Sequence, residues 1–350
     1  MDIYSKIDLV KKGSIIEILT EEELKNLFET NSKPKHYIGF EISGKVHLGT
    51  GLSTALKIKD FIKAGIKPTI FLADYHAWIN NKFNGDLEKI QKVAEGYFKA
   101  AFLSLGLENV NFVLGSKLYE KVGKEYWKNV LLISKDTTLN RMIRCTTIMG
   151  RNEKETLPSS SIIYPAMQVA DIWALDVDLA HAGMDQRKVH VLCRELANKY
   201  KQKKVIAVHS KLIPGLEGKK KMTYSDKDEE MLETKMSKSK PESCIFIHDS
   251  EEEIKRKINK ATCQPKDVEN NPVLDYTEAF AFSEGIFRIE RDEKYGGDVE
   301  YTNINELKKD YVDGKIHPSD LKNALAKKLI KLLEPCRNFF SKNKELIEGV

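Results

Sequence analysis

Short apolar runs rich in β-branched and aromatic residues alternate with helical patterns between residues 36 and 210. The runs cover residues 36–40, 68–73, 110–114, 177–181 and 204–209. Strands that alternate with helices form βαβ units, in which consecutive strands pair in parallel. The pattern therefore predicts an α/β fold built on a parallel sheet.

An amphipathic helix is predicted between the second and third strands. Its apolar residues, from Leu87 to Leu105, recur at steps of three and four after Asp86, a residue type that caps helix N-termini. Residues 116–160 have helical spacing without a strand pattern, so we interpret them as a mostly helical insertion in the sheet domain. Insertions of this kind often carry an oligomer interface, although the sequence alone does not show one here.

Strand patterns fade after about residue 245, and a smaller, mainly α-helical domain is predicted to follow. Within it, the leucines from Leu321 to Leu333 indicate a helix that ends at Pro335, since proline lacks the amide proton that a helix needs. The organisation predicted for the chain is an N-terminal helical extension (1–32), the sheet domain (33–232), a loop and linker (233–245) and the helical domain (246–350).

The composition is that of a folded chain with a modest excess of positive charge. The 350 residues are 41% hydrophobic, and 57 lysines and arginines face 52 acidic residues, which gives a net charge of +5. Between residues 201 and 221, seven lysines accompany one acid, Glu217, a density that attracts phosphates. The same density is typical of a solvated loop, so charge alone does not decide for a polyanion partner.

The cysteines and the apolar segments bear on the compartment. The five cysteines are scattered without a C-x-x-C pair or a metal-ligand spacing, which suits a reducing cytoplasm and predicts no structural metal. Residues 1–13 lack the apolar core of a signal peptide, and the apolar stretch 162–182 is interrupted by Asp171, Asp176 and Asp178. We therefore expect a soluble, cytoplasmic protein without a membrane span.

A glycine-rich turn follows the first predicted strand. The chain passes through His47-Leu48-Gly49-Thr50, and a helical pattern begins directly afterwards. Gly39, Gly44 and Gly49 have no Cβ, so a ligand can approach the backbone closely. A strand, a tight turn and a helix N-terminus together indicate a site for a phosphate or a nucleotide.

A second segment of chemical interest is Lys235-Met236-Ser237-Lys238-Ser239, which is followed by Pro241. Its two lysines form a pair of cations that could neutralise charge on phosphate oxygens during a transfer reaction. Taken alone, however, such a pentad is more typical of a solvated surface loop.

These two segments, in this order, resemble the two signatures of class I aminoacyl-tRNA synthetases. The pentad matches the second signature in full. In the first signature, Thr50 stands where a second histidine is usual, and Ile42 stands where related enzymes often have proline. The resemblance implies that ATP activates an amino acid to an aminoacyl-adenylate with release of pyrophosphate, and that the amino acid is then transferred to the end of a tRNA.

The resemblance also implies an ATP site. His47, Lys235 and Lys238 would contact the triphosphate as catalytic residues, and Gly49 would pack under the adenine. Mg²⁺ would accompany ATP, held mainly by phosphates and water. The residues implied for ATP binding are Gly39, His47, Gly49, Thr50, Lys235, Met236, Ser237 and Lys238.

Two polar residues in an apolar helical segment bear on the choice of amino acid. Residues 164–171 are apolar apart from Gln168 and Asp171, which share one face of a helix. A carboxylate in such a setting needs a partner, which a helix cap or a backbone hydrogen bond could also supply. The closest resemblance is to tyrosyl-tRNA synthetases of the archaeal and eukaryotic type, which place a strand tyrosine and a helix aspartate on the substrate phenol. The matching residues are Tyr37 and Asp171.

Further residues complete the implied tyrosine pocket. Tyr164, Gln168 and Gln186 would hold the α-ammonium group and its surroundings. Asp74 and His76 follow the second strand, at the edge where open α/β sheets bind ligands, but each could equally be a satisfied structural residue. A site built for a hydroxyl rejects phenylalanine because its own polar groups would stay unpaired, and tyrosyl-tRNA synthetases are themselves the standard example.

Three basic residues are candidates for contacts with the tRNA acceptor stem. Arg187 and Lys188 fall in the first turn of a predicted helix, where cations oppose the helix dipole, which suggests an external anion as partner. The matching pair in archaeal and eukaryotic tyrosyl enzymes reads the first base pair of the acceptor stem. Arg144 in the insertion is a weaker candidate for the same role.

Two segments of the helical domain, 295–298 and 317–320, resemble anticodon-binding segments of the same enzymes. Tyr295 and His317 would stack on unpaired bases, and Asp320 would accept hydrogen bonds from the first anticodon base. Residues 318–320 also have the composition of a helix start, and both interpretations can hold together.

The resemblance covers residues from about 15 to 340. It implies a Rossmann-like catalytic domain with a helical insertion, followed by an anticodon-binding domain, in an enzyme that attaches L-tyrosine to tRNA(Tyr) with ATP and is usually a homodimer. A catalytically silent tRNA-binding paralogue is one alternative, because Thr50 departs from the first signature. A tryptophanyl enzyme is the other, although such enzymes lack the aspartate found here as Asp171.

Overall fold

A six-stranded sheet forms the centre of the computed structural model, which describes residues 1–150, 158–218, 236 and 241–350. The strand order is β1-β6-β5-β2-β3-β4, with β2 to β6 parallel and β1 antiparallel to β6. The five strands that the sequence predicts are confirmed. The strands are β1 (Ile15–Leu19), β2 (Lys35–Glu41), β3 (Lys67–Ala73), β4 (Asn111–Leu114), β5 (Leu179–Gly183) and β6 (Ile206–Ser210).

The strand β1 was not predicted, because residues 1–32 were interpreted as helical. This segment does contain two helices, α1 (Ile3–Lys11) and α2 (Glu21–Thr30), but the chain between them pairs with the edge of the sheet. The ammonium group of Lys57 fixes the end of α1 by donating to the carbonyls of Leu9, Val10 and Lys12 at 2.8, 3.1 and 2.6 Å. The N-terminal segment is therefore an integral part of the sheet layer.

Helices cover both faces of the sheet. The predicted helix after Asp86 is present, and the Asp86 side chain accepts a hydrogen bond of 2.9 Å from the amide of Lys89 at its start. A single π-helical turn, Ala94–Phe98, interrupts it. The helices of this part are α3 (Leu52–Lys63), α4 (Asp74–Ile79), α5 (Leu87–Val93), α6 (Lys99–Ser104), α7 (Gly115–Val122), α8 (Lys124–Asp136), α9 (Leu139–Cys145), α10 (Ser160–Ala174) and α11 (Arg187–Ala197).

The C-terminal part is mainly helical, as predicted, with one short hairpin. Its elements are α12 (Glu251–Lys260), α13 (Pro272–Phe280), β7 (Phe287–Ile289), β8 (Val299–Tyr301), α14 (Ile304–Val312) and α15 (Pro318–Lys342). The prediction that the last helix ends at Pro335 is wrong, because α15 continues through it. Leu333, Cys336 and Phe340 are buried on both sides of the proline, and their packing offsets the missing hydrogen bond.

One hydrophobic core runs from the sheet into the C-terminal helices, and backbone hydrogen bonds reinforce the junction. The amide of Leu48 donates to the carbonyl of Ile245 at 2.9 Å, and the amide of Ile247 donates to the carbonyl of Val46 at 3.1 Å. The chain that follows the pentad therefore fixes the turn after β2. Within the described ranges, no helix has the length and apolar character required to cross a membrane.

Candidate active site

A cavity of about 720 Å³ opens at the carboxyl ends of β2, β5 and β6. In the sheet, β3 and β4 lie on one side of β2, whereas β5 and β6, which come later in the chain, lie on its other side. Ligands of open α/β sheets bind at such a reversal of strand order. Lys235, Ser237 and Lys238 lie outside the described residues. The predicted site residues that line the cavity are Tyr37, Gly39, His47, Gly49, Thr50, His76, Tyr164, Gln168, Asp171, Gln186 and Met236.

Tyr37 projects from β2 into the cavity above Gly39. The two residues are on the same face of the strand, and a Cβ at position 39 would collide with the Tyr37 hydroxyl. Burial raises the pKa of the Tyr37 phenol well above its ordinary value, and the nearby carboxylate of Asp171 raises it further. The hydroxyl is therefore protonated at neutral pH and can donate or accept a hydrogen bond.

Asp171 lies on α10 and is fully buried at the inner end of the cavity. Its Oδ1 accepts a hydrogen bond of 2.8 Å from the hydroxyl of Tyr126, whereas Oδ2 has no hydrogen-bond partner in the described part of the chain. Burial raises the pKa of Asp171 well above its usual range, although the Tyr126 hydroxyl opposes this change. A buried carboxyl oxygen without a partner is costly, so this end of the cavity suits a ligand that carries a polar hydrogen.

His76 closes the same end of the cavity. Its Nε2 lies 3.5 Å from Oδ2 of Asp171, and its ring meets that of Tyr164 edge to face at 4.5 Å between centroids. Burial lowers the pKa of His76 to about 3, so the ring is neutral and the contact with Asp171 is not an ion pair. The predicted neighbour Asp74 does not line the cavity. It is fully buried, and it accepts hydrogen bonds from the amide of Ser116 at 2.9 Å and from Gln91 at 3.0 Å.

A group of phenol, amide and carboxylate oxygens lines one wall of the cavity. Gln168 Nε2 donates to Gln186 Oε1 at 3.3 Å, and Gln186 is itself held by the carbonyl of Ile148 at 3.1 Å. Glu41 Oε1 accepts from the Tyr164 hydroxyl at 3.3 Å. Glu41 was not among the predicted site residues, although its position directly after the predicted run 36–40, at the end of β2, was a usable signal. Oxygen atoms of these three types can together receive an ammonium group.

The signature turn places His47 and Thr50 side by side. The Thr50 hydroxyl lies 3.2 Å from Nε2 of His47, and the Thr50 amide approaches Nδ1 at 3.4 Å. This geometry suits a ring that carries its proton on Nε2 and donates it to the hydroxyl. At Gly49, a Cβ would lie 3.3 Å from the His47 ring, which is tighter than ordinary contact. The residue that replaces the usual second histidine thus orients the first one.

The candidate tRNA contacts lie outside the cavity. Arg187 begins α11 directly after Gln186, and its Nε donates to both carboxylate oxygens of Glu17 on β1, at 2.9 and 2.8 Å. Arg187 therefore already has an anionic partner within the protein, and its position at the start of α11 can be explained without the external anion that the sequence suggested. Lys188 follows it on α11, and Arg144 is exposed on α9.

The candidate anticodon residues are on the surface of the C-terminal part. Tyr295 is 63% exposed at the hairpin turn. The ring nitrogen Nδ1 of His317 accepts a hydrogen bond of 3.2 Å from the amide of Ser319, so this histidine caps α15. Asp320 lies in the first turn of the same helix, where a carboxylate is favoured by the dipole. The interpretation of residues 318–320 as a helix start is confirmed.

The fold and the cavity are those of a class I aminoacyl-tRNA synthetase. The family model "tRNA synthetases class I (W and Y)" matches residues 29–232 and 229–334, and the chain belongs to this family. A tyrosine–tRNA ligase from Thermococcus sibiricus is 50% identical to it over 99% of this chain and 98% of the relative.

Two solved structures extend the similarity to three dimensions. The tyrosyl-tRNA synthetase of Pyrococcus horikoshii, complexed with L-tyrosine, superposes with a TM-score of 0.93 at 48% identity over the full length of both chains. The corresponding Archaeoglobus fulgidus complex gives a TM-score of 0.86 at 40% identity, covering 97% of this chain and 99% of that one. The resemblance noted in the sequence is therefore confirmed across the whole chain.

Proposed function

We propose that this enzyme activates L-tyrosine with ATP to tyrosyl-adenylate and transfers the tyrosine to tRNA(Tyr). The observation that carries the proposal is that Tyr37 and Asp171 line the same cavity as the turn formed by His47, Gly49 and Thr50. A phenol can therefore bind at one end of the cavity while a nucleotide binds at the other.

The phenol hydroxyl of the substrate would bind between Tyr37 and Asp171. It would donate to Oδ2 of Asp171, the oxygen without a hydrogen-bond partner among the described residues, and accept from the Tyr37 hydroxyl. Phenylalanine would leave both protein groups unpaired in a buried site, which costs far more than the loss of one hydrogen bond. The selectivity for tyrosine thus comes from polar groups that only a hydroxyl can satisfy.

The amino acid end of the substrate would bind along Tyr164, Gln168 and Gln186, with Glu41 supplying a negative charge nearby. An ammonium group carries three donors, and the phenol, amide and carboxylate oxygens of this wall are suitable acceptors. Glu41 is held by Asn80 at 2.7 Å and pairs with Lys82 at 3.3 Å, so its position is already fixed without substrate.

ATP would bind over the turn at residues 47–50, near Gly39 and Met236. His47 would contact the triphosphate, together with Lys235, Ser237 and Lys238 of the pentad. Mg²⁺ would be held mainly by phosphate oxygens and water, since it favours oxygen ligands and keeps part of its hydration shell. These residues act by binding and orienting charge, which is how phosphoryl and adenylyl transfers are accelerated.

The reaction needs no nucleophile from the protein. The tyrosine carboxylate attacks the α-phosphorus of ATP, the bond to the bridging oxygen of the β-phosphate breaks, and pyrophosphate leaves with the electron pair. A hydroxyl of the terminal tRNA ribose then attacks the carbonyl carbon of the adenylate, and AMP leaves as that hydroxyl loses its proton. Both steps need alignment of reactants and stabilisation of charge, which the cavity can supply.

tRNA would contact the enzyme at two places. Arg187, Lys188 and Arg144 would meet the acceptor stem beside the cavity. Tyr295, His317 and Asp320 would bind the anticodon, with stacking on the rings and hydrogen bonds to the carboxylate of Asp320. The exposed tyrosine ring and the half-buried aspartate are compatible with these roles.

The assembly is proposed to be a homodimer formed by the helical insertion and to work in the cytoplasm. Trp127, Leu131 and Leu139 are 42%, 70% and 59% exposed on α8 and α9, an unusual density of large apolar side chains for a free surface. The five cysteines are unpaired, which suits a reducing compartment.

Exchange of radioactive pyrophosphate into ATP tests the proposal directly. Purified protein should catalyse the exchange with tyrosine and should be inactive with tryptophan, phenylalanine or no amino acid. Exchange that depends on tryptophan would replace the proposed substrate. A complete absence of exchange, from protein that still binds tRNA, would instead indicate a silent tRNA-binding paralogue.

A further inference from the structure

Glu17 on the N-terminal strand β1 forms an ion pair with Arg187, the first residue of α11. It lies on β1 opposite His209 of β6, after an irregularity in register between Ile15 and Glu17. Its carboxylate accepts a bifurcated hydrogen bond from Nε of Arg187, with its two oxygens at 2.9 and 2.8 Å, and another hydrogen bond from Nδ1 of His209 at 2.7 Å. A strand added to the sheet edge thus contributes a carboxylate that contacts the first residue of α11.

The carboxylate is itself held in place from the protein interior. His209 donates to it through Nδ1, so Nε2 of the same ring is an acceptor, and Nδ1 of the fully buried His190 lies 3.1 Å from that nitrogen. Burial favours a raised pKa for Glu17, but the hydrogen bonds from Arg187 and His209 outweigh it and lower the pKa below the ordinary value. Glu17 is therefore ionised at neutral pH, with its orientation set by a buried pair of histidines.

The contact with Glu17 uses one edge of the arginine. The single N–H of Nε is shared between the two oxygens, so the hydrogen bond to Glu17 does not use the two terminal nitrogens of the guanidinium group. The Arg187 side chain is 45% exposed, whereas that of Glu17 is 23% exposed. Gln186, the residue before Arg187, lines the cavity, and so does Ser210 at the end of β6. Arg187 is thus the immediate neighbour in sequence of a residue that lines the cavity.

We propose that Glu17 is a positioning residue for tRNA: it holds Arg187 by Nε and leaves the terminal nitrogens available to the acceptor stem. This inference rests on the proposed function, in which Arg187 contacts the first base pair. An unrestrained arginine side chain loses conformational freedom about several rotatable bonds when it binds. A side chain whose guanidinium group is already held loses less conformational entropy. Glu17 should accordingly matter for charging and for base-pair selectivity but not for adenylate formation.

Glu17→Gln removes the charge while nearly keeping the shape of the side chain, and Glu21→Gln is its matched control. Glu21 is also acidic and close in sequence, but it pairs with Lys11 at 2.8 Å rather than with Arg187. We expect Glu17→Gln to lower kcat/KM for tRNA about tenfold, while tyrosine-dependent pyrophosphate exchange stays within about twofold of wild type. Glu21→Gln should leave both activities unchanged.

Two further measurements distinguish a positioning role of Glu17 from a merely structural one: selectivity for the first base pair, and the energetic coupling between Glu17 and Arg187. Charging of transcripts with an inverted first base pair should be discriminated less strongly by Glu17→Gln than by wild type. The double variant with Arg187→Ala should be no worse than Arg187→Ala alone, since the two residues act as one unit.

Three results would overturn the inference. One is an equal loss of exchange and charging, which would make Glu17 a structural residue of β1. The second is additive losses in the double variant, and the third is faster charging by Glu17→Gln, which would mean that Glu17 restrains Arg187 from binding. Failure of wild-type protein to exchange pyrophosphate with tyrosine would instead count against the proposed function, so the two failures are distinguishable.

Discussion

The hydroxyl of Tyr126 donates a hydrogen bond of 2.8 Å to Oδ1 of Asp171 and leaves Oδ2 unpaired among the described residues. Tyr126 belongs to the helical insertion, whereas Asp171 belongs to the helix that returns to the sheet. A residue of the insertion therefore engages one carboxyl oxygen of Asp171, and we expect the other oxygen to be the one that binds the substrate.

Tyr126→Phe tests this relationship by removing one oxygen atom. Without the hydrogen bond, Asp171 can rotate and its pKa rises further, because the larger of the two tyrosine contacts that oppose the effect of burial, those of Tyr126 and Tyr119, is lost. We expect KM for tyrosine in pyrophosphate exchange to increase about tenfold, with KM for ATP unchanged, since removing one partner of a buried hydrogen bond costs roughly 1–3 kcal/mol. Tyr75→Phe, on the neighbouring helix α4, is the control. An unchanged KM for tyrosine would show that Asp171 needs no support from the insertion.

The Thr50 hydroxyl supplies a second prediction. Thr50→Val keeps the shape of the side chain but removes the hydroxyl that lies 3.2 Å from His47 Nε2, so the orientation of the ring should be less well defined. We expect kcat for exchange to fall about tenfold with little change in KM for tyrosine, and Thr50→Ser should restore most of it. If the valine variant were as fast as wild type, Thr50 would not be the residue that orients His47.

Much of the sheet and the cavity could be predicted because their signals are local or belong to the family signatures. Each parallel strand is an apolar run within a few residues of its observed bounds. The wall formed by Gln168 and Asp171 follows from their i, i+3 spacing on one helix, once the segment is known to be helical. The grouping of Tyr37 with Asp171, however, came from the family resemblance and not from the pattern of residues.

The features that were missed depend on contacts between distant parts of the chain. The strand β1 is only five residues long, and its partner Ala207 to Ser210 lies far along the sequence. Nothing in the sequence joins Tyr126 to Asp171 or Glu17 to Arg187. Pro335 was a local signal that tertiary packing overrode, since the buried side chains around it stabilise a continuous helix.

Glu23 gives a prediction for stability at acid pH. Burial would raise its pKa, but hydrogen bonds from Arg194 and Lys204, each at 2.8 Å, lower the pKa to about 2. A carboxylate with a depressed pKa stabilises the fold above its unfolded pKa, near 4.5, and this contribution disappears as the pH falls towards 2. About a third of the side chain is exposed, so we expect a contribution of about 1 kcal/mol after screening.

Glu23→Gln measures that contribution. The side-chain oxygen of glutamine can still accept a hydrogen bond from the backbone N–H of Thr20, as the Glu23 carboxylate does at 3.3 Å. The cap of α2 is therefore preserved while the charge is lost. Urea unfolding should show the variant less stable at pH 7, with a difference that shrinks as the pH falls below about 4.5 and nearly vanishes as the pH approaches 2. Glu22→Gln, at an exposed neighbour, should have little effect at either pH. A stability difference that persisted unchanged in acid would contradict the electrostatic explanation.

A variant of Asp320 tests anticodon binding independently of adenylate formation. Asp320→Asn should raise KM for tRNA about tenfold, because the carboxylate no longer accepts from a base edge, while pyrophosphate exchange stays unchanged. The loss of a first-turn charge should cost α15 less than about 1 kcal/mol, which thermal unfolding can check. Asp313→Asn, just before the same helix, is the control. Equal losses in charging and exchange would remove Asp320 from the anticodon site.

The most direct test compares tyrosine with phenylalanine as substrates for pyrophosphate exchange by wild type, Asp171→Asn and Tyr37→Phe. The ratio of kcat/KM for tyrosine to that for phenylalanine should fall about 100-fold in Asp171→Asn and by a smaller factor in Tyr37→Phe, with KM for ATP within about twofold of wild type in both. If either variant excluded phenylalanine as strongly as wild type does, the phenol hydroxyl would not be bound by that side chain, and the assignment of the tyrosine site would be contradicted.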